Sequence, residues 1–80
     1  MHELAVLHQI AKTVYRVMEQ NRIRQIRQIT LEVGKESGFV PHYLTKLFPV
    51  AADAYTALQK AELRISLVPG TGLVIKEIGY

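Results

Sequence analysis

The residues best suited to chemistry open the chain, in Met1-His2-Glu3. A histidine at position 2 brings its imidazole, its backbone amide and the terminal amine of Met1 within reach of one ion. Glu3 adds a further amide and a carboxylate. Nitrogen-rich tetragonal sets of this kind suit Ni(II) or Cu(II). Amide deprotonation would make such binding pH-dependent. The plain alternatives are an exposed terminal residue for His2 and a helix N-terminal carboxylate for Glu3. The sequence contains no cysteine, so no thiolate zinc site accompanies the set. His42 opens a later helix and is a lesser, auxiliary candidate, because a helix start can approach the N-terminus. His8 falls on a polar helix face and reads as surface. Nothing in the remaining Ser, Thr, His and carboxylate residues forms a nucleophile–base constellation, so an enzyme is not expected.

These residues must be positioned by a small set of elements. Leu4, Leu7, Ile10, Ala11, Val14, Val17 and Met18 recur at helical spacing, which predicts a helix over 3–20. From Arg24 to Val33 the period changes to two, with Arg27, Ile29, Leu31 and Val33 on one side, and Gly34 ends this strand. Lys35 to Gly38 reads as a loop. Pro41 suits the first position of a second helix, with Leu44, Leu47, Phe48, Ala51 and Tyr55 as its apolar stripe. Pro49 predicts a kink, or a break after Phe48 with a second piece over 50–60. Residues 62–68 and 73–80 read as strands joined by Pro69-Gly70-Thr71-Gly72. The three-residue step from Ile75 to Ile78 predicts a bulge near Lys76-Glu77. So short a connection predicts an antiparallel C-terminal hairpin. The reading is α/β of the α+β kind: a two-layer sandwich in the order α-β-α-β-β, with a three-stranded sheet and two helices on one face.

Eighty residues make one domain, 1–80. A chain this short buries only roughly 60–65% of the surface it exposes when unfolded, and a homo-oligomer would relieve the shortage of core. The net charge is +3. Lys12, Arg16, Arg22, Arg24 and Arg27 read as solvated faces rather than a nucleic-acid patch, since only Tyr15 interleaves with them. No run reaches the ~18 apolar residues that a membrane span needs. There is no signal-peptide pattern, so a soluble, cytoplasmic protein is expected.

Taken in order, Met1-His2-Glu3-Leu4, Ile29-Thr30-Leu31-Glu32-Val33-Gly34, Ser37-Gly38-Phe39-Val40-Pro41 and the Leu44 to Phe48 spacing resemble the HypA/HybF family of nickel metallochaperones. Leu63 to Pro69 and Gly72 to Ile78 are similar to the strands that lead into and out of that family's zinc domain. The resemblance implies His2 as the key nickel ligand and Glu3 as its essential neighbour. It also implies a role in NiFe hydrogenase maturation and docking on a maturation GTPase or a nickel-enzyme precursor. The zinc domain, with its two Cys-x-x-Cys pairs, is absent, and the turn at 69–72 stands in its place. No zinc is therefore expected. Several relatives carry a carboxylate near positions 40 to 42, where this chain has Val40, Pro41 and His42. The competing reading is a metal-independent assembly or oligomerisation module that keeps the fold.

Overall fold

A computed structural model describes residues 2–80. The order is α1 (Glu3–Gln20), β1 (Gln28–Gly34), α2 (Pro41–Ala52), a 3-10 turn (Thr56–Leu58), β2 (Glu62–Val68) and β3 (Leu73–Gly79). This is the expected α+β arrangement, with a three-stranded mixed sheet and two helices. Leu7, Ile10, Ala11, Val14 and Met18 form the buried stripe of α1. Leu44, Phe48, Ala51 and Ala52 do the same for α2. Both stripes join Ile29, Leu31 and Val33 in one core. The alternate residues Thr30 and Glu32 are only partly covered, so the helices lie on one face of the sheet.

The C-terminal hairpin does not form. The strand order is β2-β1-β3, which puts β1 in the centre. Strand β2 pairs parallel with β1, from Gln28↔Glu62 to Gly34↔Val68. Strand β3 pairs antiparallel with β1, from Gln28↔Gly79 to Val33↔Leu73. Helix α2 supplies the crossover that a parallel pair needs. The connection after Val68 then passes over the end of β1 instead of folding back beside β2. It is held there by Gly34 N–H to Gly72 O (2.7 Å), Lys35 N–H to Val68 O (2.8 Å) and Glu36 N–H to Gly70 O (2.9 Å). The Glu36 carboxylate accepts the Gly70 N–H at 2.9 Å. A short connection can therefore join two strands that never pair.

The crossing explains two glycines. A Cβ on Gly34 would lie 2.6 Å from the Gly70 carbonyl carbon and 2.9 Å from the Gly72 nitrogen. Gly70 itself has φ +105°, a conformation that side chains resist. The bulge in β3 occurs as expected, since Thr30 opposes Glu77 while Leu31 opposes Ile75, leaving Lys76 as the extra residue.

Two further boundaries differ from expectation. Strand β1 begins at Gln28, not Arg24. The preceding segment is governed by Ile26, which is buried and donates its N–H to Ala57 O. Helix α2 continues through Pro49 to Ala52, and no second helix spans 50–60. Phe48, Ala51 and Ala52 are all buried, so the packing of the last turn outweighs the N–H that Pro49 cannot give to the Thr45 carbonyl.

Candidate metal centre

His2 occupies the cap position before α1, and its side chain makes no capping hydrogen bond. Its carbonyl accepts the Val6 N–H at 3.2 Å, which starts the helix. The imidazole is thus exposed and uncommitted. Met1, with the terminal amine assigned to the set, lies outside the described residues.

Glu3 is placed differently from a simple first-turn carboxylate. Its relative exposure is 6%, whereas Leu4 is 36% exposed. The buried stripe of α1 therefore extends back from Leu7 to Glu3 by a step of four, and Leu4 falls off it. Carboxylate oxygen Oε2 accepts the Val40 N–H at 3.0 Å. Val40 is the cap residue of α2, and its carbonyl accepts the N–H groups of Tyr43 and Leu44. Glu3 thus ties the start of α1 to the start of α2, where a carboxylate is favoured by the helix dipole. The Val40 N–H holds the Glu3 carboxyl below the usual range, against the desolvation that burial imposes. The sequence pattern held a signal for the burial of Glu3, though not for its backbone partner. A polar residue in register with an apolar stripe is buried and needs a partner.

The loop between β1 and α2 is fixed at both ends. Glu36 is bound to the β2–β3 connection, and Val40 is bound to Glu3. Between them Ser37 is buried, and its hydroxyl accepts the Phe39 N–H at 3.2 Å. Gly38 has φ +84°. The loop's shape is therefore set by local polar contacts.

His42 is exposed on α2, with its ring 6.0 Å from that of Tyr43. Among the described residues no three His, Cys, Asp or Glu side chains gather around a common point. His42 is not brought into a ligand cluster. A single imidazole with backbone and terminal nitrogens needs no such cluster, and that donor set fits a planar nickel ion. A groove of about 520 Å³ lies elsewhere, against Tyr15, Met18, Ile23 and Tyr55 near the far end of α1. It contains none of His2, Glu3 or His42. Among the described residues no helix is long and apolar enough to cross a membrane.

Comparison with known proteins identifies a family. The family model for hydrogenase/urease nickel incorporation, the metallochaperone HypA, matches residues 1–73. The hydrogenase maturation factor HypA of Trichodesmium erythraeum is 36% identical over 72 residues, covering 90% of this chain and 60% of that protein. The HypA of Legionella pneumophila (strain Lens) is 32% identical over 73 residues, covering 91% of this chain and 64% of that protein. The chain therefore spans about three fifths of the length of these curated relatives. The solution structure of the nickel metallochaperone HypA from Helicobacter pylori superposes with a TM-score of 0.79. That match covers 96% of this chain and 72% of the other at 14% identity, a likeness of fold. On the strength of the match over residues 1–73, this chain belongs to the HypA family of metallochaperones, which are not enzymes.

Proposed function

We propose that this chain binds Ni(II) as cargo at Met1-His2-Glu3 and hands it on during NiFe hydrogenase maturation. The single observation that carries the reading is the pairing of an uncommitted His2 imidazole with a Glu3 that is locked in place. His2 supplies its imidazole and amide nitrogen, and Met1 supplies the terminal amine. Membership of the HypA family supports nickel as the ion. The names of the relatives, hydrogenase maturation factors, support the process. Docking on a maturation GTPase or a nickel-enzyme precursor belongs to the same proposal.

The longer relatives would carry their additional chain at the connection Pro69–Gly72, where a zinc domain would sit. Superposition over 96% of this chain leaves 28% of the Helicobacter pylori chain unmatched, enough for an additional domain. With no cysteine in the sequence, the chain has no thiolate set for that zinc.

Nickel titration of the untagged protein by calorimetry tests the reading. Binding near one equivalent, lost in His2→Ala, is the expected result. No binding, or binding unchanged in His2→Ala, would overturn it. A metal-independent assembly module is the second reading, favoured by the lack of any three-side-chain ligand cluster among the described residues. It predicts the first of those two negative results.

A further inference from the structure

The groove at the far end of α1 has a chemistry that the N-terminal site does not use. In the sequence, Tyr15 is the one aromatic residue in the basic stretch from Lys12 to Arg27. The fold supplies a second ring. Tyr55, which follows α2, brings its ring centroid to 4.8 Å from that of Tyr15, with the planes 31° apart. Such a pair offers a broad aromatic surface, and Tyr15 is still 36% exposed.

Both walls of the groove are tied down. Ile23 donates its N–H to the Met18 carbonyl at 2.9 Å, and Tyr55 donates to the Ala52 carbonyl at 2.9 Å. Ile26, which is buried, donates to the Ala57 carbonyl at 3.3 Å and so joins the two walls.

The groove of about 520 Å³ runs into a second of about 440 Å³, since Arg24, Thr56 and Ala57 line both. The first is apolar and aromatic, with Tyr15, Met18, Ile23 and Tyr55. The second is polar and basic, with Gln25, Gln59 and Lys60 beside the shared Arg24. Among the described residues the one ion pair joins Arg64 to Glu62, so the charges of Arg24 and Lys60 are unanswered. Glu19 is the single acid in the lining, and it belongs to the aromatic end.

We infer that the joined groove binds a free purine nucleotide, its base against the Tyr15–Tyr55 pair and its phosphate between Arg24 and Lys60. Stacking on aromatic side chains holds a base by its flat face. A guanidinium beside an ammonium group suits a phosphate. The Glu19 carboxylate can accept an N–H from the edge of the base. A purine presents more ring to the tyrosines than a pyrimidine does. The two cations lie at one end, which matches one phosphate group, whereas a nucleic-acid strand needs a groove whose positive charge tracks its backbone. Nothing in this site draws on His2, Glu3 or nickel.

Titration of the metal-free protein with AMP and with GMP, followed through amide NMR shifts, tests the inference. The expected result is a saturable shift at Glu19, Arg24, Thr56 and Lys60, with a Kd of about 1 mM or tighter, while the start of α1 is unmoved. Tyr15→Leu, Arg24→Gln and Lys60→Gln each weaken binding at least about threefold. Lys46→Gln, which removes an exposed cation of α2, does not. Inorganic phosphate and adenosine, each alone, bind at least about tenfold more weakly than AMP. The absence of a saturable shift up to about 10 mM nucleotide would overturn the proposal. So would phosphate that binds as tightly as AMP, variants that bind as the native protein does, or an equal loss in Lys46→Gln. A single-stranded RNA of eight nucleotides that binds more than about a hundredfold tighter than AMP would also overturn it, and would assign the groove to nucleic acid. The shifts are read on the unaltered protein, so the first result does not depend on any variant folding.

Discussion

The carboxylate of Glu3 and the backbone N–H of Val40 meet at 3.0 Å across a sequence separation of 37 residues. This bond joins the starts of the two helices. Removing it leaves the partly buried Val40 N–H without this partner. Glu3→Ala is expected to lower the melting temperature, and Glu3→Gln, which keeps an acceptor, to lower it less. Thermal denaturation at neutral pH measures both. Equal melting temperatures for all three proteins would contradict the assigned bond.

The same bond has a pH signature. The folded-state pKa of Glu3 is lowered, so its stabilisation is fully present above the unfolded carboxylate pKa. It is lost as the pH falls through the lowered folded value. The stability gap between the native protein and Glu3→Gln should therefore close on acidification through the carboxylate range. Urea denaturation at a series of pH values reads the gap directly.

Gly34→Ala should be among the most damaging single-atom additions. The added Cβ meets backbone of the crossing connection rather than a movable side chain. A loss of about 3 kcal/mol is expected. Gly70→Ala meets no neighbouring atom but must adopt φ +105°, at about 1–2 kcal/mol. Chemical denaturation should rank Gly34→Ala below Gly70→Ala.

Pro49→Ala should stabilise the protein. It restores an N–H for the Thr45 carbonyl inside α2 at an exposed position. The gain is reduced by the extra freedom of the unfolded chain, leaving about 1–2 kcal/mol. A shift of the denaturation midpoint with an unchanged slope would confirm it.

His42→Ala should change nickel affinity by less than about twofold, measured by calorimetry beside His2→Ala. His42 is exposed and joins no ligand cluster among the described residues. A larger loss would restore it as a ligand.

Much of the fold was legible because the informative periods are local. The stripe of α1, Pro41 at the start of α2 and the Ile75 to Ile78 step each announce an element or an irregularity within a few residues. The strand order was not legible. Clean alternation on either side of a four-residue connection reads as a hairpin, while the preference of both strands for β1 rests on long-range burial. Gly34 read only as a strand end, because its need for space comes from Gly70, far along the chain. In the candidate site, His2 stood out by its position. The bond from Val40 to Glu3 was hidden because its donor is backbone, and Leu4 was the more obvious apolar choice for the buried stripe. Packing of Phe48, Ala51 and Ala52 likewise overrode the local signal of Pro49.

The central place of β1 also dictates when the sheet can form. Gln28 is partnered by Glu62 on one side and Gly79 on the other. On a ribosome, β1 emerges early and keeps one edge open until Glu62 to Val68 has emerged and the other until Leu73 to Gly79 has cleared the exit tunnel. The two early helices cannot complete their core before β2 adds Leu63, and the partly buried Leu73, Ile75 and Ile78 close over it last. Truncation within the last seven residues should consequently harm solubility during synthesis well before it removes any side chain of the N-terminal site.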